Sequence, residues 1–283
     1  IALIRQHLDY QHWYDPAKLA LKTVTSCQYI SAMNPTAGSF VINPRLQRHF
    51  TTFAVGMPSA TSLLTIYQTF LEGHLITNSF NSGIISNTSP LIKGALALHK
   101  EISDTFRKTA ANFHYEFNIR HLASVFAGLL VSTPSRFDSP EKFSFLWLHE
   151  SERVYGDRIV DSAGLAKFKE IMQSQAKKAF PQFNASKFYL STGADALVFC
   201  HYAGAGGTGD GTGDGTGDGT GDGDDAVYDA VSSMDELKAT LEVALTEYND
   251  MNAVMDLVLF NDAICHVTRI TRVVRNTAGP AML

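Results

Sequence analysis

The chain is poor in cysteine, in long apolar runs and in positive charge, and each shortage argues against a class of protein. Its three cysteines, Cys27, Cys200 and Cys265, are far apart and odd in number, which is typical of buried thiols in a reducing compartment and not of a disulfide framework or a metal knuckle. No signal peptide and no apolar run long enough to span a bilayer is present. The formal net charge of −5 gives no general attraction to nucleic acid or anionic lipid.

The motifs of familiar catalytic sites are also missing. No G-x-x-x-x-G-K-[ST] phosphate loop occurs, and no apolar strand ends in paired acids before Cys27. Since ATP hydrolysis requires such groups around the phosphates and the metal, we expect this chain by itself neither to bind nucleotide tightly nor to hydrolyse it. No G-x-S-x-G motif and no cysteine with a local histidine is present, so nucleophilic catalysis has no support.

The one sequence that approaches a metal-binding motif fails at its second histidine. His149-Glu150 would begin a zinc-protease pattern only with a histidine at position 153, where the chain has arginine. The charged residues of this stretch instead indicate a structural ion-pair network on one helix and its neighbours. Its members are Glu150, Glu152, Arg153, Asp157 and Arg158.

The chain does contain enough apolar sequence for about two domains. It has 283 residues, of which 45% are hydrophobic. It begins with Ile1 in place of methionine, and its last residues, Gly279 to Leu283, stop where a strand would begin. We therefore expect an internal piece of a longer polypeptide.

Residues 1–58 have the pattern of an α/β segment. Apolar residues at helical spacing predict a helix tail over residues 1–10, and residues 13–24 predict a hairpin. Short apolar runs over residues 27–33 and 51–55 predict two buried strands. Between these strands, Asn43-Pro44 signals the start of a short helix.

After Pro58 the pattern becomes helical. Five amphipathic helices are predicted in succession, which together describe a helical bundle packed after an α/β core. Their signatures are the stripes beginning at Leu63, Leu91 and Leu122, the Ser139-Pro140 start of a helix over residues 143–158, and the Asp161 cap of a helix that runs to Phe180.

The last part of the chain contains a low-complexity tract and two further predicted helices. Four copies of Gly-Thr-Gly-Asp occupy residues 207–222 and contain no apolar side chain, so we expect an acidic, disordered surface loop. Helices are predicted over residues 234–249 and 253–275. In the second of these, Arg269, Arg272 and Arg275 crowd the last turns, where cations complement the helix dipole.

Several stretches resemble the third AAA+ module of axonemal dynein heavy chains. The resemblance is close and covers all but about residues 187–235. Its most specific stretches are Met-Asn-Pro-Thr-Ala-Gly-Ser-Phe at 33–40, Asn-Pro-Arg-Leu-Gln-Arg-His-Phe at 43–50, Phe-Asn-Ile-Arg at 117–120, the run from Trp147 to Arg158, and the run from Asn252 to Asp262.

The resemblance implies a fold that is α/β plus all-α and predominantly helical. It contains the C-terminal strands of a partial AAA+ P-loop NTPase core, then an α-helical lid, then the beginning of the next module. The implied boundaries are the end of the third large domain at 1–58, the lid at 59–200, the Gly-Thr-Gly-Asp loop at 201–231, and the N-terminal helices and strand start of the fourth module at 232–283.

The resemblance also implies roles for four residues. Asn34 would be sensor one, beside the γ-phosphate and its attacking water, and Arg120 would be sensor two, reaching from the lid to the same phosphate. Arg48 is the first choice for an arginine finger toward the second module, and Arg45 is the second choice. Residue chemistry alone also allows a turn-capping asparagine and arginines that only make surface salt bridges.

The implied function belongs to the whole heavy chain. Such chains hydrolyse ATP, with ATP or ADP and Mg²⁺ in the intact ring, and move along microtubules in the axoneme of a cilium or flagellum. Implied partners are the neighbouring AAA+ modules, microtubules, and dynein intermediate and light chains. Two alternatives stay open from the sequence, a non-catalytic helical scaffold or interaction module and a AAA+ ATPase unrelated to dynein.

Overall fold

The computed structural model describes residues 2–33, 43–184, 198–202, 228–231 and 233–275. The chain divides into two compact units, residues 1–58 and residues 59–283. The Gly-Thr-Gly-Asp tract, the predicted sensor Asn34 and the segment after Arg275 lie outside the described residues.

The first unit begins with a helix and a hairpin, as the sequence predicts. Helix α1 (Ala2–Tyr10) is followed by strands β1 (His12–Tyr14) and β2 (Leu21–Thr23), which pair antiparallel. The buried His7 of α1 connects these elements, because its Nε2 lies 2.8 Å from the carbonyl oxygen of Val24 and its ring packs against that of Trp13.

The two strands predicted for this unit are not formed. Residues 27–33 and 51–55 have no regular secondary structure, and Ile30, Phe53 and Val55 are more than four-fifths exposed. A buried parallel strand takes its hydrogen bonds from neighbouring strands and its packing from helices on both faces. The described part of the chain offers these two segments no such neighbours. The exposed Cys27 likewise corrects the prediction that all three thiols are buried.

The short helix predicted at Asn43-Pro44 is confirmed as α2 (Pro44–Gln47). The side chain of Asn43 accepts a hydrogen bond from the backbone N–H of Arg45 at 2.9 Å, and Pro44 occupies the first helical position. This pattern of caps is the one that the sequence predicts for a helix start.

The second unit begins with six helices. They are α3 (Ala60–Thr77), α4 (Ser82–Ser86), α5 (Thr88–Thr105), α6 (Ile119–Leu129), α7 (Pro140–Tyr155), which continues into a 3₁₀ turn at Gly156–Arg158, and α8 (Ser162–Ala179). Five of them match the predicted amphipathic helices, and α4 is an addition that the sequence pattern did not reveal. Side chains of Ser59, Asn118, Ser139 and Asp161 cap α3, α6, α7 and α8.

A single apolar core joins these helices. Its largest fully buried side chain, Trp147 of α7, packs edge-on against Phe180, and Tyr67 of α3 stacks on Phe126 of α6 at 4.2 Å between ring centroids. The predicted stripe of α5 is buried throughout, from Leu91 to Phe106. The predominantly helical fold is therefore confirmed.

A second, smaller core follows. Strands β3 (Phe199–Cys200) and β4 (Asp229–Ala230) pair antiparallel, and helices α9 (Met234–Met251) and α10 (Asn261–Arg275) follow them. Because side chains of a strand alternate between faces, Phe199 joins the large core whereas Cys200 joins the small one. The buried members of the small core are Cys200, Val231, Leu237 and Ile264.

The last helix is shorter than predicted and buries a different face. The sequence predicts one helix over residues 253–275, but α10 begins at Asn261. The side-chain amide of Asn249 explains the interruption: it accepts from the backbone N–H of Met255 at 2.8 Å and donates to its carbonyl at 3.1 Å, which competes with helical hydrogen bonds. The buried residues of α10 are Ile264, Thr268 and Arg272, and of the stripe from Leu257 to Val274 only Ile264 is among them. No helix in the described ranges has the length and apolarity that crossing a membrane would require.

Candidate functional site

The two arginines of the predicted finger lie on the surface of the first unit. Arg45 is in α2 and Arg48 caps its C-terminal end, and both are exposed. Their positions are consistent with contact to a neighbouring phosphate group, since a guanidinium is always charged and presents several donors in one plane. The structure does not bury either residue within its own unit.

Arg48 is held in place by a carboxylate and by an imidazole, since its Nε also donates to Nε2 of His49 at 3.3 Å. Its Nη2 donates to Oδ1 of Asp9 in α1 at 3.2 Å, and Nε2 of His49 lies 3.2 Å from the same oxygen. The Arg48 side chain is 62% exposed, so water screens the pair and its contribution to stability is small. The guanidinium is therefore oriented by a contact that is only weakly stabilising.

Arg120, the predicted sensor two, lies in the first turn of α6 in the second unit. Asn118 caps this helix, because its Oδ1 accepts from the backbone N–H of Arg120 at 3.0 Å. The Arg120 side chain is exposed, and among the described residues no carboxylate pairs with it. A free cation here adds to the positive end of the helix dipole, so this helix end would attract an anion.

His121 completes the cap and stays neutral. Its Nδ1 accepts from the backbone N–H of Asn118 at 3.0 Å, which together with the Asn118 side chain forms a capping box. Burial, and then the positive charge of Arg158, lowers the pKa of His121 to about 4. The positive charge at this turn therefore comes from Arg120 at neutral pH.

The described candidates are divided between the two units. Arg45 and Arg48 share a helix of the first unit, Arg120 belongs to the second unit, and Asn34 lies outside the described ranges. Across those ranges, no group of three or more acidic, histidine or cysteine side chains is arranged to hold a metal ion.

The structure also contains a buried polar cluster, of which the sequence analysis predicted only Glu150, as a member of an ion-pair network. The carboxylate of Glu150 on α7 is fully buried and receives three hydrogen bonds. Tyr228 Oη donates to its Oε1 at 2.9 Å, Arg272 Nε donates to the same oxygen at 3.2 Å, and Arg272 Nη2 donates to Oε2. We call this set, Glu150, Tyr228 and Arg272, the Glu150 cluster.

The environment of the Glu150 cluster raises the pKa values of Arg272 and Tyr228. Burial alone would lower the pKa of Arg272, but the adjacent Glu150 carboxylate outweighs that effect and raises it. Burial and the negative charge of Glu150 both raise the pKa of Tyr228, so this phenol stays protonated and donates. The cluster is thus an ion pair with a neutral donor.

The sequence did carry one indication of this cluster. Gly128 of α6 lies against Oε2 of Glu150 so closely that an added Cβ atom would overlap it. A glycine inside a strongly amphipathic helix often marks such a close approach. The apolar periodicity of α10 gives no comparable signal, because Arg272 stands between Arg269 and Arg275 and nothing in the sequence marks it as the buried one.

Of the other residues predicted for the ion-pair network, Glu152, Arg153 and Asp157 form pairs at the C-terminal end of α7, whereas the exposed Arg158 has no ion pair among the described residues. Arg153 contacts Glu152 at 3.4 Å and Asp157 at 3.0 Å, and Arg269 Nε of α10 lies 3.7 Å from the same Asp157 oxygen. Burial raises the pKa of Glu152. Two arginine–acid pairs therefore connect α10 to this region, one buried and one partly exposed.

Comparison with known families covers both units. A model described as the P-loop containing dynein motor region matches residues 1–58, and a model described as the AAA+ lid domain matches residues 91–188. The second match contains α6, α7 and α8, and the first contains α2.

Individual relatives match over the whole chain. The chain is 50% identical over 283 residues to the flagellar outer arm dynein alpha chain of Chlamydomonas reinhardtii, with 100% of this chain covered. It is 43% identical over 281 residues to dynein axonemal heavy chain 17 of Homo sapiens and 42% identical over 281 residues to the ciliary dynein beta chain of Tripneustes gratilla, with 99% of this chain covered in both cases. The chain spans only 6% of the length of each of these relatives.

Proposed function

Because this chain belongs to the axonemal dynein heavy-chain family, we propose that it acts within a ring of AAA+ modules. It supplies the end of the third large domain at 1–58, the lid at 59–200, the Gly-Thr-Gly-Asp loop at 201–231 and the start of the fourth module at 232–283. The whole protein is then an ATP-driven motor that moves along microtubules in the axoneme of a cilium or flagellum. The names of its relatives, which include flagellar outer arm and ciliary chains, support this location.

The role of this segment is to sense nucleotide and to relay its state. Arg48 carries the proposal, since its guanidinium is exposed, oriented by Asp9 and only weakly retained by it. As an arginine finger it would place a planar cation against the γ-phosphate bound by the second module. Arg45, exposed on the same helix, is the alternative finger.

Arg120 and Asn34 would act on the module's own nucleotide. Arg120 fits a phosphate, because an unpaired guanidinium and the N-terminal end of α6 attract the same anion. Loss of the γ-phosphate would remove this attraction and change the angle between lid and large domain. Asn34 would orient the attacking water as sensor one.

ATP or ADP with Mg²⁺ is the ligand of the intact ring in this proposal. The nucleotide supplies the phosphate charge, and the residues of this chain supply cations and an amide directed toward it. The neighbouring AAA+ modules would provide the phosphate loops. Microtubules and the intermediate and light chains would bind other parts of the heavy chain.

The test is the substitution Arg48→Ala in a heavy chain that contains this segment. We expect the nucleotide response of the second module to weaken by about tenfold or more, measured by binding of a fluorescent ATP analogue and by ATPase activity. The response of the third module should persist, because Arg120 and Asn34 are intact. Arg48→Lys tests whether the planar guanidinium is required, since lysine keeps the positive charge and loses the bidentate geometry.

Two comparisons make the result decisive. Lys22→Ala removes a surface cation of the same unit, which pairs with Asp15, and should leave both modules unchanged. Arg45→Ala should also have little effect. If it alone strongly weakened the nucleotide response of the second module, Arg45 would be the arginine finger. Loss at the third module with the second unaffected would show that the proposed neighbour is wrong. No effect of either arginine would favour a non-catalytic scaffold.

A further inference from the structure

Helix α10 is attached to the lid by a weak apolar contact and a strong polar one. The small core beneath it has four buried side chains, of which only Ile264 belongs to α10, and none of the partly buried residues packed against it lies in α10. The other two buried positions of this helix, Thr268 and Arg272, are polar. Apolar burial by itself therefore contributes little free energy to the packing of α10 against the rest of the second unit.

The Glu150 cluster supplies the polar attachment. Its three members come from α7, from the residue that precedes β4, and from α10, so one carboxylate joins three separate elements. Each carboxylate oxygen accepts from a donor of the cluster. Because the glutamate is fully buried, it has no water with which to replace a lost partner.

Such a pair acts as an all-or-none contact. Removal of one partner leaves a buried charge uncompensated, which costs far more than the intact pair contributes. Movement of α10 away from α7 would create that same unpaired charge. The docked position is therefore strongly preferred over any partly detached one.

We propose that Glu150 is a latch that fixes α10 and the β3–β4 ribbon on the helical lid. Rotation of the lid then carries α10 with it as one rigid body. The consequence for a motor rests on the proposed function: α10 would pass lid movements to the residues after Arg275. The latch itself does not require that function.

Cys200 provides a local measure of latch opening. It lies in the small core with Ile264 of α10, it is buried, and burial raises the pKa of its thiol to about 11. Alkylation of this thiol therefore requires the small core to open. In the 283-residue chain, the rate at which iodoacetamide modifies Cys200 can be followed by peptide mass spectrometry while circular dichroism monitors the helical bundle.

The variants should raise the alkylation rate of Cys200 by different amounts. Glu150→Gln should raise the alkylation rate of Cys200 by about 100-fold, because Arg272 loses its counter-charge, and Tyr228→Phe should raise it by about tenfold through loss of one charge-assisted hydrogen bond. The double variant Glu150→Gln/Arg272→Met should return most of the way to the parent rate, because no unpaired charge remains. Arg269→Gln, which breaks only the partly exposed pair between α10 and Asp157, is the matched control and should change the rate less than about threefold.

Two outcomes would overturn the latch. One is an unchanged Cys200 rate in Tyr228→Phe and in a folded Glu150→Gln variant. The other is a double variant that reacts as fast as Glu150→Gln, which would show that the charge pair is not what holds α10. If Glu150→Gln fails to fold, Tyr228→Phe decides, since it removes a single hydroxyl. None of these measurements uses nucleotide, so failure of the motor proposal would leave them valid.

Discussion

Gly128 and Glu150 occupy facing positions on α6 and α7, and the carboxylate of Glu150 fills the space that a side chain at position 128 would need. The glycine is therefore a requirement of the buried charge opposite it. The contact requires a residue without a side chain on α6 and places a buried carboxylate on α7. Gly128 and Glu150 can be substituted separately to test each requirement.

Gly128→Ala should lower the free energy of unfolding by about 1–3 kcal/mol, because the added methyl group overlaps Glu150. Gly73→Ala is the matched control: this residue lies inside α3 with no atom near the position of a new Cβ. At that site alanine should stabilise the chain by about 0.5–1 kcal/mol through its better helix propensity. Urea denaturation of both variants measures the difference, and equal effects would contradict the steric argument.

Stability should fall as the pH falls from about 6.5 to about 4. The folded state holds the pKa of His121 at about 4, so in this window the unfolded chain binds the proton and the folded chain does not. Burial also lowers the pKa of His99, which contributes with the same sign, whereas burial raises the pKa of Glu152, which contributes with the opposite sign. Denaturation midpoints measured across this pH range should show the decline.

His121→Gln should make that decline shallower. Glutamine at this position can still accept from the backbone of Asn118, so the capping box is retained while the titrating group is removed. His266→Gln changes a histidine on the exposed side of α10 and serves as the control. A His121→Gln variant with the full pH dependence of the parent would show that His121 does not contribute to it.

Replacement of residues 203–227 by a four-residue Gly-Asn-Gly-Ser turn should preserve the fold. The residues on either side of this tract are paired in β3 and β4, where Cys200 is opposite Asp229. Closing a shorter loop costs less chain entropy, so the variant should be more stable by about 1–2 kcal/mol. A Gly-Ser linker of the original length is the control and should match the parent in thermal denaturation. Loss of the folded state on shortening would show that the tract itself holds the ribbon.

Asp9→Asn should change the free energy of unfolding by less than about 1 kcal/mol, because the carboxylate pairs with a largely exposed arginine. Lys108→Ala, which breaks the exposed pair with Glu116, gives a reference for an ion pair of the second unit. A loss several times larger at Asp9 would mean that Arg48 has a structural role in the first unit.

Local patterns predicted the helices of the lid well. Apolar spacing located α3, α5 and α6, and capping residues such as Ser139 and Asp161 set the starts of α7 and α8, because helix formation depends on contacts close in sequence. The predictions of strands over residues 27–33 and 51–55 were wrong for the opposite reason, since a strand requires partners that are distant in sequence.

The same difference between local patterns and distant contacts applies to the candidate site. The exposure of Arg45, Arg48 and Arg120 agrees with their predicted roles, although those roles remain predictions. Glu150 was predicted to form ion pairs, but its partners Tyr228 and Arg272 could not be predicted, because 78 and 122 residues separate them from it. The Asn249 contact that shortens the last helix likewise depends on a side chain that no periodicity describes.

The β3–β4 ribbon has a consequence for the length of this segment. The Gly-Thr-Gly-Asp copies at 207–222 lie between the two paired strands, so gain or loss of whole copies would lengthen or shorten only the chain between Cys200 and Asp229. The helices on either side would keep their sequences and their register. This position is therefore where related chains can differ in length without a change in either core.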